Sequence, residues 1–147
     1  MTISSAVCNS FKQEILVGTH NFTASSGNTF KLSLYSSDSA TLNKSTTAYS
    51  SSNEITNSSG TAYSAKGKAL TSVTPTLSTD TAVCDFADVS WTSASFTANG
   101  CLIFNDSHST DASVCAIAFG SDKTVTSGTF TIQFPTADAS NAIIRIA

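Results

Sequence analysis

The stretch Phe96-Thr97-Ala98-Asn99-Gly100-Cys101-Leu102-Ile103-Phe104-Asn105-Asp106-Ser107-His108-Ser109-Thr110-Asp111-Ala112-Ser113-Val114-Cys115-Ala116-Ile117-Ala118-Phe119 decides the fold. It holds two apolar runs, Cys101 to Phe104 and Val114 to Phe119, on either side of a polar segment. Both runs are too short for ordinary helices and are bounded by turn formers, so they read as two strands joined in a hairpin. Both are apolar at successive positions. A strand of that kind must be covered on both faces, which places this hairpin at the centre of a sheet with the other strands wrapped around it.

Working outward, Thr29 to Tyr35 alternates, with Phe30, Leu32 and Leu34 on a buried face and Lys31, Ser33 and Tyr35 on a face that is wet or in an interface. Ser36 to Ser64 is rich in Ser, Thr and Asn and reads as a long surface excursion with one short edge strand near Ala48. Lys68 to Thr74 is a strand ended by Pro75, and Thr81 to Phe86 is the next. Ala94 to Phe104 enters the central hairpin, with a bend or bulge at Asn99 and Gly100. Gly120 to Lys123 reads as a turn, Thr129 to Phe134 as a strand ended by Pro135, and Asn141 to Ile146 as the last strand.

Ahead of the strands, Val7, Cys8, Phe11, Ile15 and Leu16 recur at helical intervals. Ser4 or Ser5 is the expected cap, Ser10 with Gln13 a second possible capping box, and Gly18 the expected C-cap. The expected fold is therefore all-β: an antiparallel β-sandwich or jelly-roll-like domain of seven to eight strands with a short N-terminal helix. Its 147 residues form one domain, residues 1–20 a helical segment and residues 28–147 the sandwich.

A third of the residues are Ser or Thr, and only 12% are charged. Nine Phe, one Trp and three Tyr at strand spacing supply enough apolar surface to offset the ordering entropy, so the chain is expected to fold. Formal net charge is −3, and Lys and Arg are scattered, so the basic stripe that nucleic acid demands is missing. There is neither a membrane-length apolar run nor a positive leader ahead of an apolar stretch, and the protein is expected to be made and kept in the cytosol. Cys8, Cys84, Cys101 and Cys115 lack paired spacing and read as buried free thiols.

Catalytic constellations are sparse. His20 and His108 are the only histidines, and both read as exposed polar residues with no nucleophile elbow to serve. Asp106, Ser107, His108 and Asp111 lack the alternating acidic spacing of a calcium loop and read as a solvated turn. Asp85 with Asp88, or Asp122 with Asp138, are the candidate carboxylate pairs for glycoside cleavage, which also requires an aromatic cleft. The sequons at Asn21, Asn43, Asn57 and Asn105 are expected by chance at this Ser and Thr content. No cofactor motif and no metal-ligand spacing is present.

The residues Asp85 to Asp88, Trp91 to Asn105, Ala118 to Lys123, Gly128 to Pro135 and Asn141 to Ile146, with Cys8 to Lys12 and Phe30 to Leu32, resemble a family of small virion structural proteins of tailed bacteriophages. The resemblance spans nearly the whole chain. It implies a non-enzymatic role in the virion, most like a capsid decoration or cement protein that trimerises and binds the major capsid protein of the head shell. No catalytic residue carries over. The helix stripe at Phe11 and Ile15 and the C-terminal run at Ile143 and Ile144 are the expected subunit contacts. The alternatives are a tail, baseplate or fibre component adhering to host glycan through Trp91, Tyr49 and Tyr63, and an envelope hydrolase using Asp85 and Asp88.

Overall fold

The computed structural model describes residues 2–36, 40–56 and 60–147. In chain order the elements are β1 (Ala6–Val7), α1 (Asn9–Leu16), β2 (Phe30–Tyr35), β3 (Lys68–Ala69), β4 (Ser72–Ser78), β5 (Thr81–Phe86), β6 (Val89–Asn105), β7 (Ala112–Ile132) and β8 (Ile144–Ile146). They form an antiparallel β-sandwich with a five-stranded sheet ordered β1-β7-β6-β2-β3 and a three-stranded sheet ordered β4-β5-β8. The main core lies between them and draws Phe30, Leu34, Cys101 and Ile103 from the larger sheet and Cys84, Phe86 and Ile144 from the smaller.

The central hairpin is formed by β6 and β7, in register from Asn105 opposite Ala112 to Val89 opposite Ile132. From Cys101 to Phe104 and from Val114 to Ala116 its successive apolar residues are buried on both faces, while Ile117 to Phe119 are half-buried. One face enters the main core. The other, carrying Leu102, Phe104 and Ala116, is roofed by Ala40, Leu42 and Tyr49 of the long excursion and by Ile3. The same roof buries Tyr35 and Ser33, so the second face of β2, expected wet or in an interface, is covered by the chain itself at those two positions, and only Lys31 keeps contact with solvent. The expected edge strand near Ala48 is reduced to one antiparallel bridge between Ala48 and Ala112. Its sequon at Asn57 lies outside the described residues.

Several boundaries differ from the sequence reading, each for a local reason. Gly120 to Lys123 does not reverse the chain. The ladder passes from Gly100 opposite Ala118 to Ala98 opposite Lys123, so the turn formers are spent on a wide bulge within one continuous strand. Asn99 clamps that bulge through Asp122 Oδ1 at 3.0 Å. Thr129 to Phe134 is therefore largely the far end of β7, not a separate strand. Pro75 does not end its strand either. It sits in β4, an edge strand, where the register shifts between Val73 and Thr76 and no ladder donor is needed from the proline.

The helix starts later than expected. Ala6 and Val7 pair with Ala116 and Cys115, and this short ladder displaces the first helical turn. Ser5 becomes an acceptor for the Ala118 N–H at 2.9 Å instead of a cap, and Cys8 is the N-cap, with its thiol directed to Asn43 O and no side-chain hydrogen bond to the helix. Ser10 Oγ is buried without a partner, so the second capping box does not form. The other end follows expectation. Gly18, at φ 76°, donates to Ile15 O, and Thr19 donates to Glu14 O, which together close the last turn.

Candidate functional site

The hairpin turn between β6 and β7 holds its acids with lysines. Asp106 meets Lys31 and Lys66, each at 3.1 Å, and Asp111 meets Lys66 at 2.8 Å. Burial raises the Asp106 pKa, but the hydrogen bonds from Lys66 and Lys31 outweigh it and hold the carboxyl below its ordinary value. The bonds that Lys66 donates to Asp111 and Asp106 in turn raise its own pKa. This cross-link ties the turn to β2 and to the segment before β3. His108 lies in the same turn, half-exposed, beside the Thr110 hydroxyl at 3.0 Å. Among the described residues no group of His, Cys, Asp or Glu is arranged to hold a metal ion.

His20 is not the exposed residue its position after the helix suggests. It is buried among Phe11, Phe22 and Phe30. Its Nε2 lies 2.8 Å from Glu14 Oε2, and its Nδ1 lies 3.1 Å from Asn105 Nδ2. The Asn105 amide also donates to Asn28 Oδ1 at 3.1 Å, and its Oδ1 accepts the Ser107 N–H at 3.0 Å. With the amide donating to Nδ1, the imidazole proton belongs on Nε2, facing the carboxylate. The ring joins the end of α1 to the start of β2 and the end of β6. The hydrogen-bond partners of the ring are one carboxylate and one amide, with no hydroxyl or thiol on either nitrogen.

The carboxylate pairs do not assemble a cleft. Asp88 Oδ1 accepts the Phe134 N–H at 2.9 Å, while Asp85 Oδ1 is buried with no partner. Among the described residues, neither lines any of the five main grooves and cavities. Asp122 is engaged by Asn99, and Asp138 caps its own turn by accepting from the Ser140 and Asn141 N–H groups, each at 2.8 Å.

The aromatic platform required for a glycan also fails to form. Trp91 and Tyr63 are 2% and 1% exposed and stack on each other within the main core, at a centroid distance of 6.1 Å. Tyr49 lies flat on Phe104 in the second core.

Of the expected subunit contacts, Phe11 and Ile144 belong to the chain's own core, and Ile15 and Ile143 are half-buried at its margin. The apolar surface that faces water lies beside them: Leu16 at 86% exposure, Val17, Leu77 at 74% and Ile146 at 56%. Leu77, Ala82 and Ile146 form one row across the three-stranded sheet. Ala82 and Ile146 share a shallow groove of about 120 Å³ with Ile15 and Phe11. The periodicity of β4 does not reveal Leu77. The only signal is a large apolar residue, with Val73 the other, in an edge strand made mostly of Ser and Thr.

The four cysteines are free and buried. Burial pushes the Cys84 and Cys101 thiols up to about 12 and Cys115 well above its ordinary value, which leaves them protonated and unreactive at neutral pH. No protein-family model, curated protein or solved structure matches this chain.

Proposed function

We propose that this chain is a non-enzymatic virion structural protein of tailed bacteriophages, a capsid decoration (cement) protein that binds and stabilises the assembled head shell. The observation that carries this reading is the apolar row of Leu77, Ala82 and Ile146, exposed at its two ends, with Leu16 and Val17 exposed at the helix end. Such a row is unusual on a surface dominated by hydroxyls, and the strands at its two margins, β4 and β8, are open edges. Open edges and a flanking apolar strip suit association with another protein through added strands and side-chain packing. The partners in this reading are the major capsid protein and further copies of the chain, most simply as a trimer. The resemblance carried by Trp91 to Asn105 and Gly128 to Pro135 supports the same assignment.

A net charge of −3 disfavours nucleic acid as a partner. No helix among the described residues is long and apolar enough to cross a membrane. The alternative of a tail, baseplate or fibre component that adheres to host glycan would need a platform other than Trp91 and Tyr63. The test is sedimentation of the purified chain alone and with shells that lack it. The reading predicts a symmetric oligomer that pellets with the shells, and a Leu77→Arg variant that stays folded but loses association. A monomer that leaves the shells bare would overturn it.

A further inference from the structure

The inner faces of the two sheets do not close along the far half of β7. Ile117, Phe119, Phe130 and Phe134, with Ile143 from the segment before β8, line a cavity of about 490 Å³ that opens to solvent, and Cys101 contributes to its wall. These five side chains pack against the core and remain half-exposed, a costly arrangement for residues so apolar. The volume falls within the range of small-molecule sites, which are mostly apolar with a few polar groups fixing orientation. Lys123 is the single ionised residue in the lining. Its ammonium donates to a neutral partner, the Ser121 hydroxyl, at 3.0 Å, while the carboxylate of the neighbouring Asp122 is engaged by Asn99.

We propose that this cavity binds an apolar carboxylate, an acyl chain or aryl acid, with its body against the phenyl rings and its carboxylate on Lys123. The apolar wall supplies affinity for any ligand of this shape. The lone cation supplies the sign: an anion gains a charge-assisted hydrogen bond, a neutral analogue does not, and a cation is repelled. The Lys123 pair sits at an open mouth, so its contribution to selectivity is modest, about twofold to fivefold.

The test uses the full chain and three probes of equal length, octanoate, octanol and octylammonium, followed by calorimetry and by the methyl resonances of Ile117 and Ile143. Octanoate should bind best, octanol about twofold to fivefold more weakly and octylammonium more weakly still, with all binding reported at those two methyls. Lys123→Gln, a change at an exposed position, should bring octanoate down to the affinity of octanol without altering octanol binding. Equal affinity for the three probes, an unchanged octanoate affinity in the variant, or no shift at the two methyls would each overturn the proposal. So would a dimer whose formation with rising protein concentration shifts the same methyls, since a second copy would then be the occupant.

Discussion

Glu54 accepts a hydrogen bond on each carboxylate oxygen, from Tyr49 at 2.5 Å and from Tyr63 at 2.7 Å, and the Tyr63 hydroxyl in turn accepts the Leu34 N–H at 2.9 Å. This chain of bonds pins the long excursion onto β2 from both ends. Glu54→Ala leaves two phenols without their acceptor, one of them fully buried, and should cost about 2–4 kcal/mol in chemical denaturation. Gly67 has a different constraint. Its φ is 67°, and a Cβ there would lie 1.8 Å from Leu32 O, so Gly67→Ala forces β3 away from β2. A loss of at least about 2 kcal/mol is expected, where an exposed turn glycine would lose about 1 kcal/mol or less. His20→Leu keeps the apolar contacts with Phe11 and Phe30 but removes one of the two acceptors of the buried Asn105 amide and the partner of Glu14. It should cost about 1–3 kcal/mol, measured the same way, and a neutral result would mean that the buried network contributes nothing.

The elements show what periodicity reveals and what it hides. The central hairpin was legible because apolar residues on both faces have one structural meaning, and Thr81 to Phe86 was legible because turn residues bound it closely. The continuity of β7 was not. Gly120, Asp122 and Lys123 are turn formers by composition, and only the facing bulge at Asn99 and Gly100 lets the strand absorb them. The late helix start was hidden for a related reason, since Ser4 and Ser5 are good caps locally and lose to a ladder with residues more than 100 positions away. The burial of His20 is hidden because its three rings, Phe11, Phe22 and Phe30, are all within ten residues of it but close around it only once α1 and β2 are folded together. Among the candidate contacts, helical spacing identified Phe11 correctly as apolar but does not say whether that stripe faces inward. The exposed row at Leu77 and Ile146 exists only once β4, β5 and β8 are paired.

At the scale of the whole molecule, two cores enclose four thiols and two phenols that ionise less readily than they would in an unfolded chain. Burial raises the thiols of Cys8, Cys84, Cys101 and Cys115 above their ordinary 9.0, and it raises Tyr35 to about 12 and Tyr63 further. Groups whose pKa is raised by folding stabilise the native state below the unfolded value, and that stabilisation is lost as pH rises beyond it. Stability should therefore hold up to about pH 9 and then fall by about 1.4 kcal/mol per pH unit for each thiol involved, with the phenols adding to the slope above about pH 10. A thiol reagent at neutral pH should label all four cysteines only at the rate of unfolding. Rapid labelling of the native protein, or an unchanged stability at pH 11, would contradict the buried-thiol core.

The same molecule presents one apolar row between two open edges, and the proposed role depends on what covers it. Locating the protein in a cryo-EM map of the intact particle tests that role most directly. The account predicts density at the symmetry axes of the head shell, with Leu77 and Ile146 turned towards a neighbouring chain. Density on the tail or baseplate, or a shell with no density for this protein, would contradict it.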